Sequence, residues 1–320
     1  MDNIQQEPII ELKNVTKRLS KKDIIKDISF GVYPNEIFGI IGASGAGKTT
    51  LMRTMIGYYR IDKGDVLINN KNISKNLNKI REIIGFASQE NCVYDELTVA
   101  ENLEYFGKLH HLTNEQIMLN TDSLLNLVEL YDVKDKLTKN LSGGMKRRVD
   151  LACALIHNPK ILIMDEPTTG LDPMLRKHMW YLIKIINDSG TTVIISSHLL
   201  DEMEYMCTRV GIISEGRLLA AGTPRQLKDL YSKNVEIHLE TYPGRYDMII
   251  DMLKAENLPV NFFSNNENKL VLYTMDAENV LHNTLHILEK LNERLIDVDV
   301  NKPSLNEVFE AFTQRFKNVK

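Results

Sequence analysis

The sequence predicts an α/β protein in which buried parallel strands alternate with helices, followed by a small α+β domain. Three observations predict it. An apolar run over residues 37–41 opens into a glycine-rich loop and then a helix start at Leu51. Two further apolar runs, over 161–164 and 191–195, stop on polar residues: Asp165 and Glu166 after the first, Ser196, Ser197 and His198 after the second. Parallel sheets buried on both faces read as such runs, and their ligands collect at the carboxyl ends of the strands. Beyond about residue 228 the texture changes, and short strand and helix patterns alternate over roughly ninety residues, enough for a separate small domain.

Each element follows from its own pattern. Residues 9–15 and 25–30 alternate and read as strands. Residues 64–68 read as a strand with a turn at Asn69 and Asn70. These early strands form a β-rich layer beside the glycine loop. Residues 80–89 read as a strand ending at Gln89. Thr98 can cap a helix in which Val99, Leu103, Phe106 and Leu109 share a face. Thr113 to Gln116 reads as another helix start, and Leu124, Leu125, Leu127, Val128 and Leu130 as a third apolar face. From about residue 91 to 159 the chain is therefore a helical insert. The stretch Leu141, Ser142, Gly143, Gly144, Met145 interrupts it, and a helix follows from Lys146 to His157. Strands at 161–167 and 191–198 come next, then a hairpin over 209–213 and 217–222. The expected domains are 1–228 and 234–320, with a linker at 229–233. In the second, strands at 235–239, 269–273 and 295–300 alternate with helices at 247–254 and 280–291.

The glycine loop carries the first chemistry. Gly42, Ala43, Ser44, Gly45, Ala46, Gly47, Lys48, Thr49 and Thr50 fit G-x-x-x-x-G-K-[ST] between a strand and a helix. At average residue usage the four fixed positions arise by accident in about one in a hundred chains of this length. The glycines let the backbone turn tightly and point N–H groups inward, and the helix adds the positive end of its dipole. Lys48 can reach terminal phosphates, and the Thr49 hydroxyl can ligate Mg²⁺.

Composition narrows the class. The chain has 320 residues and a formal charge of −4. From Tyr231 onward there are 14 acidic and 10 basic residues, which leaves 29 of each before it. Neither part has the basic excess of a nucleic-acid binder, so no nucleic acid is expected as a partner. No apolar run approaches a membrane span, and the first residues lack a signal-type apolar core. The expected location is cytoplasmic, peripheral on the cytosolic face of the cell membrane. Cys92, Cys153 and Cys207 are widely spaced and fit reduced thiols better than a disulfide or metal frame.

Taken in order, the motifs resemble the ATP-binding-cassette (ABC) ATPase family: residues 42–50, Gln89, Leu141 to Met145, 161–166, Gly170–Leu171–Asp172 and His198. The resemblance runs from about residue 9 to 227. It implies a P-loop NTPase fold with a RecA-like mixed sheet core, an N-terminal antiparallel β layer and a helical subdomain. ATP and Mg²⁺ are the implied cofactors. By resemblance Asp165 and Gln89 join Thr49 around Mg²⁺, Glu166 orients or deprotonates the attacking water, and His198 senses the γ-phosphate. Lys48, Gln89, Glu166 and His198 form the implied catalytic set. Two cassettes meet head to tail, so that Leu141, Ser142, Gly143, Gly144 and Met145 of one close on the ATP of the other, with Asp172 crossing the same interface. The sequence departs from the family at Leu19, which aligns with the aromatic residue that usually stacks on adenine. Tyr33, Tyr58 and Tyr59 are the alternatives for that contact.

Within the family the chain most resembles ATPase subunits of ABC-2-type, daunorubicin-resistance-like exporters. Residues 141–148, 167–173 and the closing segment 303–309 carry that likeness. It implies an ABC-2-type membrane permease encoded separately, a second cassette that is expected to be identical, and a C-terminal accessory or dimerisation domain. The loop 90–98, with Tyr94 and Leu97, is the expected permease contact. The competing readings are a soluble ABC ATPase acting in translation or DNA maintenance, and a P-loop kinase or GTPase. The single cassette, the absence of coiled-coil insertions and the Leu-Ser-Gly-Gly segment weigh against them.

Overall fold

The computed structural model describes residues 7–231, 235–266, 269–301, 304–309 and 313. The chain divides into two compact units, Met1–Pro224 and Arg225–Lys320.

The first unit opens with β1 (Ile10–Leu19) and β2 (Lys22–Val32). Ser20 and Lys21 join them with φ of 47° and 69°, which a tight two-residue hairpin needs to match strand twist. Strand β3 (Ile37–Ile41) is buried at every position and leads through the glycine loop into α1 (Lys48–Met55). Then come β4 (Lys63–Ile68), β5 (Lys71–Asn72), α2 (Ile73–Arg81) and β6 (Ile84–Ala87). Helices α3 (Val99–Leu109), α4 (Asn114–Leu127) and α5 (Gly143–Leu155) form the insert. The remainder alternates as β7 (Ile161–Asp165), α6 (Pro173–Asp188), β8 (Thr192–Ser197) and α7 (Leu200–Met206), and closes with the hairpin β9 (Arg209–Ser214) and β10 (Arg217–Gly222).

Two sheets result. One is antiparallel, in the order β2-β1-β4-β5; the other has the order β10-β9-β3-β8-β7-β6. In the second, β9, β3, β8, β7 and β6 run parallel and β10 is an antiparallel edge. The sheets share one core. Ile10, Leu12 and Ile28 from the first pack with Phe38, Ile40, Ile163 and Ile194 from the second, and Met52 and Met55 of α1 join them. Phe30 stacks on Phe38 with centroids 5.1 Å apart. Because the central strands are parallel, the segments after β3, β6, β7 and β8 emerge at one edge, and the site forms there.

Several expectations shift. Residues 80–89 hold the last turn of α2 and then β6, which ends at Ala87 rather than Gln89. Leu109 is 56% exposed, whereas Asn102 is fully buried on α3. The third apolar face belongs to α4, the helix that Thr113 caps. The signature helix begins at Gly143, three residues before Lys146. Among the described residues no helix is long and apolar enough to cross a membrane.

The second unit holds α8 (Pro224–Tyr231), which starts at the boundary, then β11 (Val235–Tyr242), α9 (Tyr246–Ala255), β12 (Val260–Asn266), β13 (Lys269–Thr274), α10 (Ala277–Lys290) and β14 (Arg294–Asn301). The sequence pattern lacked β12. With it the order from β11 is βαββαβ, and the antiparallel sheet runs β12-β13-β11-β14, a split βαβ arrangement. Ile237, Leu239, Ile249, Leu270, Leu272, Val280 and Ile287 close a core of their own. Part of the expected linker, residues 232–233, and Pro303 of the closing segment lie outside the described residues.

Candidate active site

The loop between β3 and α1 is shaped by its glycines. A side chain at Gly42 would meet the Ile213 carbonyl at 2.5 Å. Gly47 takes φ of 105° as the N-cap of α1, and a Cβ there would meet the Ile24 carbonyl at 3.2 Å. Helix α1 therefore starts at Lys48, and its first N–H groups have no carbonyl ahead of them in the helix. They face a cleft of about 520 Å³ lined by Ile24, Ser44, Lys48, Gln89, Glu166 and His198, together with Gly45, Gly47, Thr49, Thr50 and Thr169. Lys48 is 5% exposed. Its Nζ donates to the Gly42 carbonyl at 2.8 Å and lies 3.5 Å from Glu166 Oε1. A buried ammonium beside a rim of backbone N–H groups suits a polyphosphate.

Glu166 is the hub of the opposite wall. Its Oε2 accepts from the Thr169 hydroxyl at 2.8 Å and lies 3.0 Å from His198 Nδ1. Its N–H donates to the Ser196 hydroxyl oxygen at 3.0 Å. Burial would raise the Glu166 carboxyl, but the Thr169 hydrogen bond and the charges of Lys48 and His198 outweigh it and hold it below its usual value. The group is therefore ionised at neutral pH. Its φ is 49°, a left-handed conformation that a non-glycine residue keeps only where its surroundings fix it. Asp165 is buried at the end of β7, and its Oδ1 accepts from the Ser196 hydroxyl. Gln89 lies two residues beyond β6 and is exposed at the cleft.

The cleft thus brings together Ser44, Gly45, Gly47, Lys48, Thr49, Thr50, Gln89, Glu166 and His198. Leu141 to Met145 and Asp172 do not line it. Ser142 caps α5, accepting from the Met145 N–H at 3.3 Å, and with Gly143 is exposed. Asp172 caps α6 by accepting from the N–H groups of Met174 and Leu175. Leu19 is not among the lining residues either. The hairpin turn after β1 brings Ile24, not Leu19, over Gly47, so Ile24 is the apolar wall of this cleft. Tyr33 packs under Arg209, and Tyr58 packs edge-on against Tyr59, away from the cleft.

Comparison with known proteins turns this geometry into a family. The ABC transporter family profile matches residues 25–169. The linearmycin resistance ATP-binding protein LnrL of Bacillus subtilis is 33% identical over 308 residues, covering 96% of this chain and 99% of its own. The chain belongs to the ABC transporter family. It is an ATP-binding subunit of that family and an ATPase. The daunorubicin resistance ATP-binding protein DrrA3 of Streptomyces coeruleorubidus is 30% identical over 312 residues, covering 97% of this chain and 98% of its own. Among solved structures, a dimeric post-hydrolysis ATP-binding cassette bound to ADP and Pi is similar with a TM-score of 0.61 and 26% identity. That match covers 67% of this chain and 98% of the other.

Several residues in or behind the cleft escaped the sequence reading. Thr169 stands three residues after Glu166, a spacing that a turn closes. Ser196 touches both carboxylate residues, and only its place two residues before His198 could have signalled it. Arg147 hides in the run Lys146–Arg147–Arg148, which reads as surface charge. It is buried, and burial lowers its pKa while Asp150 and Asp165 offset that.

Proposed function

We propose that this ABC subunit powers export through a separately encoded ABC-2-type permease, by ATP-driven closure of two identical cassettes on the cytosolic face of the membrane. The observation that carries it is the match to LnrL and DrrA3 over nearly the whole chain, second unit included. Both relatives are named for resistance, to linearmycin and to daunorubicin, and removal from the cell is one route to resistance.

Phosphoryl transfer needs positioning and charge neutralisation more than covalent chemistry. Lys48 and the N–H groups of α1 hold the phosphates. Thr49, Asp165 and Gln89 offer hard oxygen donors of the kind Mg²⁺ takes, and the ion supplies further neutralisation of the phosphates. Glu166, held ionised, orients the attacking water and accepts its proton. His198 fixes the carboxylate from the other side. The N-terminus of α5, exposed at Ser142 and Gly143, lies outside its own cleft and offers N–H groups to an anion, which supports head-to-tail closure on a partner's ATP.

A second groove supports the permease reading. It measures about 290 Å³ between α1, β6, α3 and α5, and Ile56, Tyr58, Phe86, Phe106 and His157 line it. Tyr94 of the expected contact loop packs against Tyr105 and Phe106. This groove is where we place the permease's cytosolic helix. The second unit serves as the accessory or dimerisation domain. Tagged Glu166→Gln protein, captured with Mg-ATP from detergent-solubilised source membranes, tests the reading. A polytopic membrane protein should copurify; ribosomes or DNA-repair factors in its place would shift the chain to a soluble ABC function.

A further inference from the structure

Arg147 sits in the second turn of α5 and is 7% exposed. A guanidinium carries five N–H groups in a planar fork, and here five backbone carbonyls receive them. Nε donates to Pro167 at 3.2 Å. One terminal nitrogen donates to Ser88 and to Gln89, the latter at 3.3 Å. The other donates to Asp165 at 3.0 Å and to Glu166 at 3.1 Å. The nearest carboxylate, Asp150 Oδ2, is 3.7 Å away. Asp150 in turn accepts the Cys92 N–H at 3.0 Å through its other oxygen. Helix α5 therefore grips the loop after β6 at two points and the turn after β7 at a third.

We propose that Arg147 is a positioning residue that ties the Gln89 loop and the Glu166 turn to the signature helix. The inference rests on the nucleotide and head-to-tail readings above. Gln89 and Glu166 serve the cassette's own ATP, whereas Ser142 on α5 serves the partner's. The guanidinium is the physical joint between the two duties. It also holds the carbonyl of Glu166 while Ser196 holds its N–H, which keeps the left-handed turn that aims the carboxylate into the cleft. Lysine cannot replace it, because three donors on one nitrogen cannot span carbonyls on two separate loops.

The test uses full-length Arg147→Lys and Arg147→Gln beside the wild-type chain. Three quantities are measured: affinity for a fluorescent ATP analogue, the split between kcat and KM for ATP, and amide hydrogen exchange by segment. Both variants should keep analogue affinity within about threefold, while kcat falls on the order of 100-fold, the scale of a small misplacement of reacting groups. Exchange should quicken about tenfold or more over 88–92 and 165–169 and stay unchanged in β3 and β8, as local rather than global opening requires. Wild-type kcat in Arg147→Lys, or unchanged exchange over 88–92 in Arg147→Gln, overturns the proposal. So does exchange that quickens evenly through the first unit, the mark of a role in stability alone. If Glu166→Gln hydrolyses ATP at the wild-type rate, the reading of the site fails. The exchange comparison still decides whether Arg147 holds the two loops.

Discussion

At the scale of single residues, the proposed site separates holding phosphate from moving a proton. Glu166 is within 3.0 Å of His198 and 3.5 Å of Lys48, and its carboxyl lies below its ordinary pKa. Glu166→Gln keeps the size and loses only the base. ATP affinity should persist while turnover falls about 10²–10⁴-fold, the span that a positioned general base contributes; single-turnover hydrolysis of radiolabelled ATP measures it. A second prediction concerns His157, which stacks on His110 with centroids 3.6 Å apart and meets the Ile84 carbonyl through Nε2 at 3.1 Å. Burial first, and His110 second, push its pKa down to about 4. Unfolded, the ring titrates near 6.5. Between those values the unfolded chain binds the extra proton, so this group's stabilisation is complete above about pH 6.5 and is lost as pH falls toward 4. Asp150 acts oppositely: burial raises it to about 6, so stability falls as pH rises from its unfolded value through that point. The two slopes oppose each other in the wild type. His157→Phe keeps the ring and removes one slope. It should be less stable than wild type at neutral pH, having lost the bond to Ile84, and close that gap by up to about 1.4 kcal/mol per pH unit on acidification. Urea unfolding at neutral pH and near pH 5 measures the difference.

At the scale of elements, the chain is legible wherever the signal is local. Thr98 and Thr113 were readable as caps, and both close full capping boxes with Glu101 and Gln116. The buried strands were readable because β3 is apolar throughout and β7 and β8 are apolar until their polar ends, and the glycine loop because its spacing is fixed. What escaped is held by partners distant in sequence. Arg147 reaches Ser88 across 59 positions, and nothing in a basic run announces that. Helix α2 escaped because polar residues dominate it and its backbone leaves helical geometry at Asn76, with φ of −132°. Ile24 escaped because strand position alone does not show where the hairpin turn delivers it. Asn102 is the clearest case. It is a polar residue on α3 that the apolar pattern passes over, and it is fully buried. Its amide donates to the carbonyls of Tyr94 and Thr98 at 3.0 and 2.9 Å and accepts the Tyr94 N–H at 2.7 Å. Asn102→Leu strands those groups and should cost about 2–4 kcal/mol in urea unfolding. Because the freed segment is the proposed permease loop, copurification with the permease should weaken more than ATP affinity.

For the whole molecule, the decisive fact is that each unit closes its own core: Ile10, Phe38 and Ile163 belong to one, Ile237, Ile249 and Ile287 to the other. Unfolding of the full chain is then not a single two-state event, since separate cores can open separately. Every residue proposed for nucleotide chemistry, from Gly42 to His198, lies in the first unit. So do Ser142 and Asp172, which we assign to the closed pair. A chain ending at Tyr231 should therefore fold, bind ATP with affinity within a few-fold of the full length, and still pair when it carries Glu166→Gln and ATP is added. What it should lose is association without nucleotide, if the second unit is the dimerisation domain. Sedimentation velocity on both lengths, with and without ATP, separates these effects. A shortened chain that pairs only with ATP places constitutive contact in residues 232–320 and nucleotide-driven contact in the cassette. One that neither binds nor pairs shows that the first unit depends on the second, and the division of labour proposed for the two units falls.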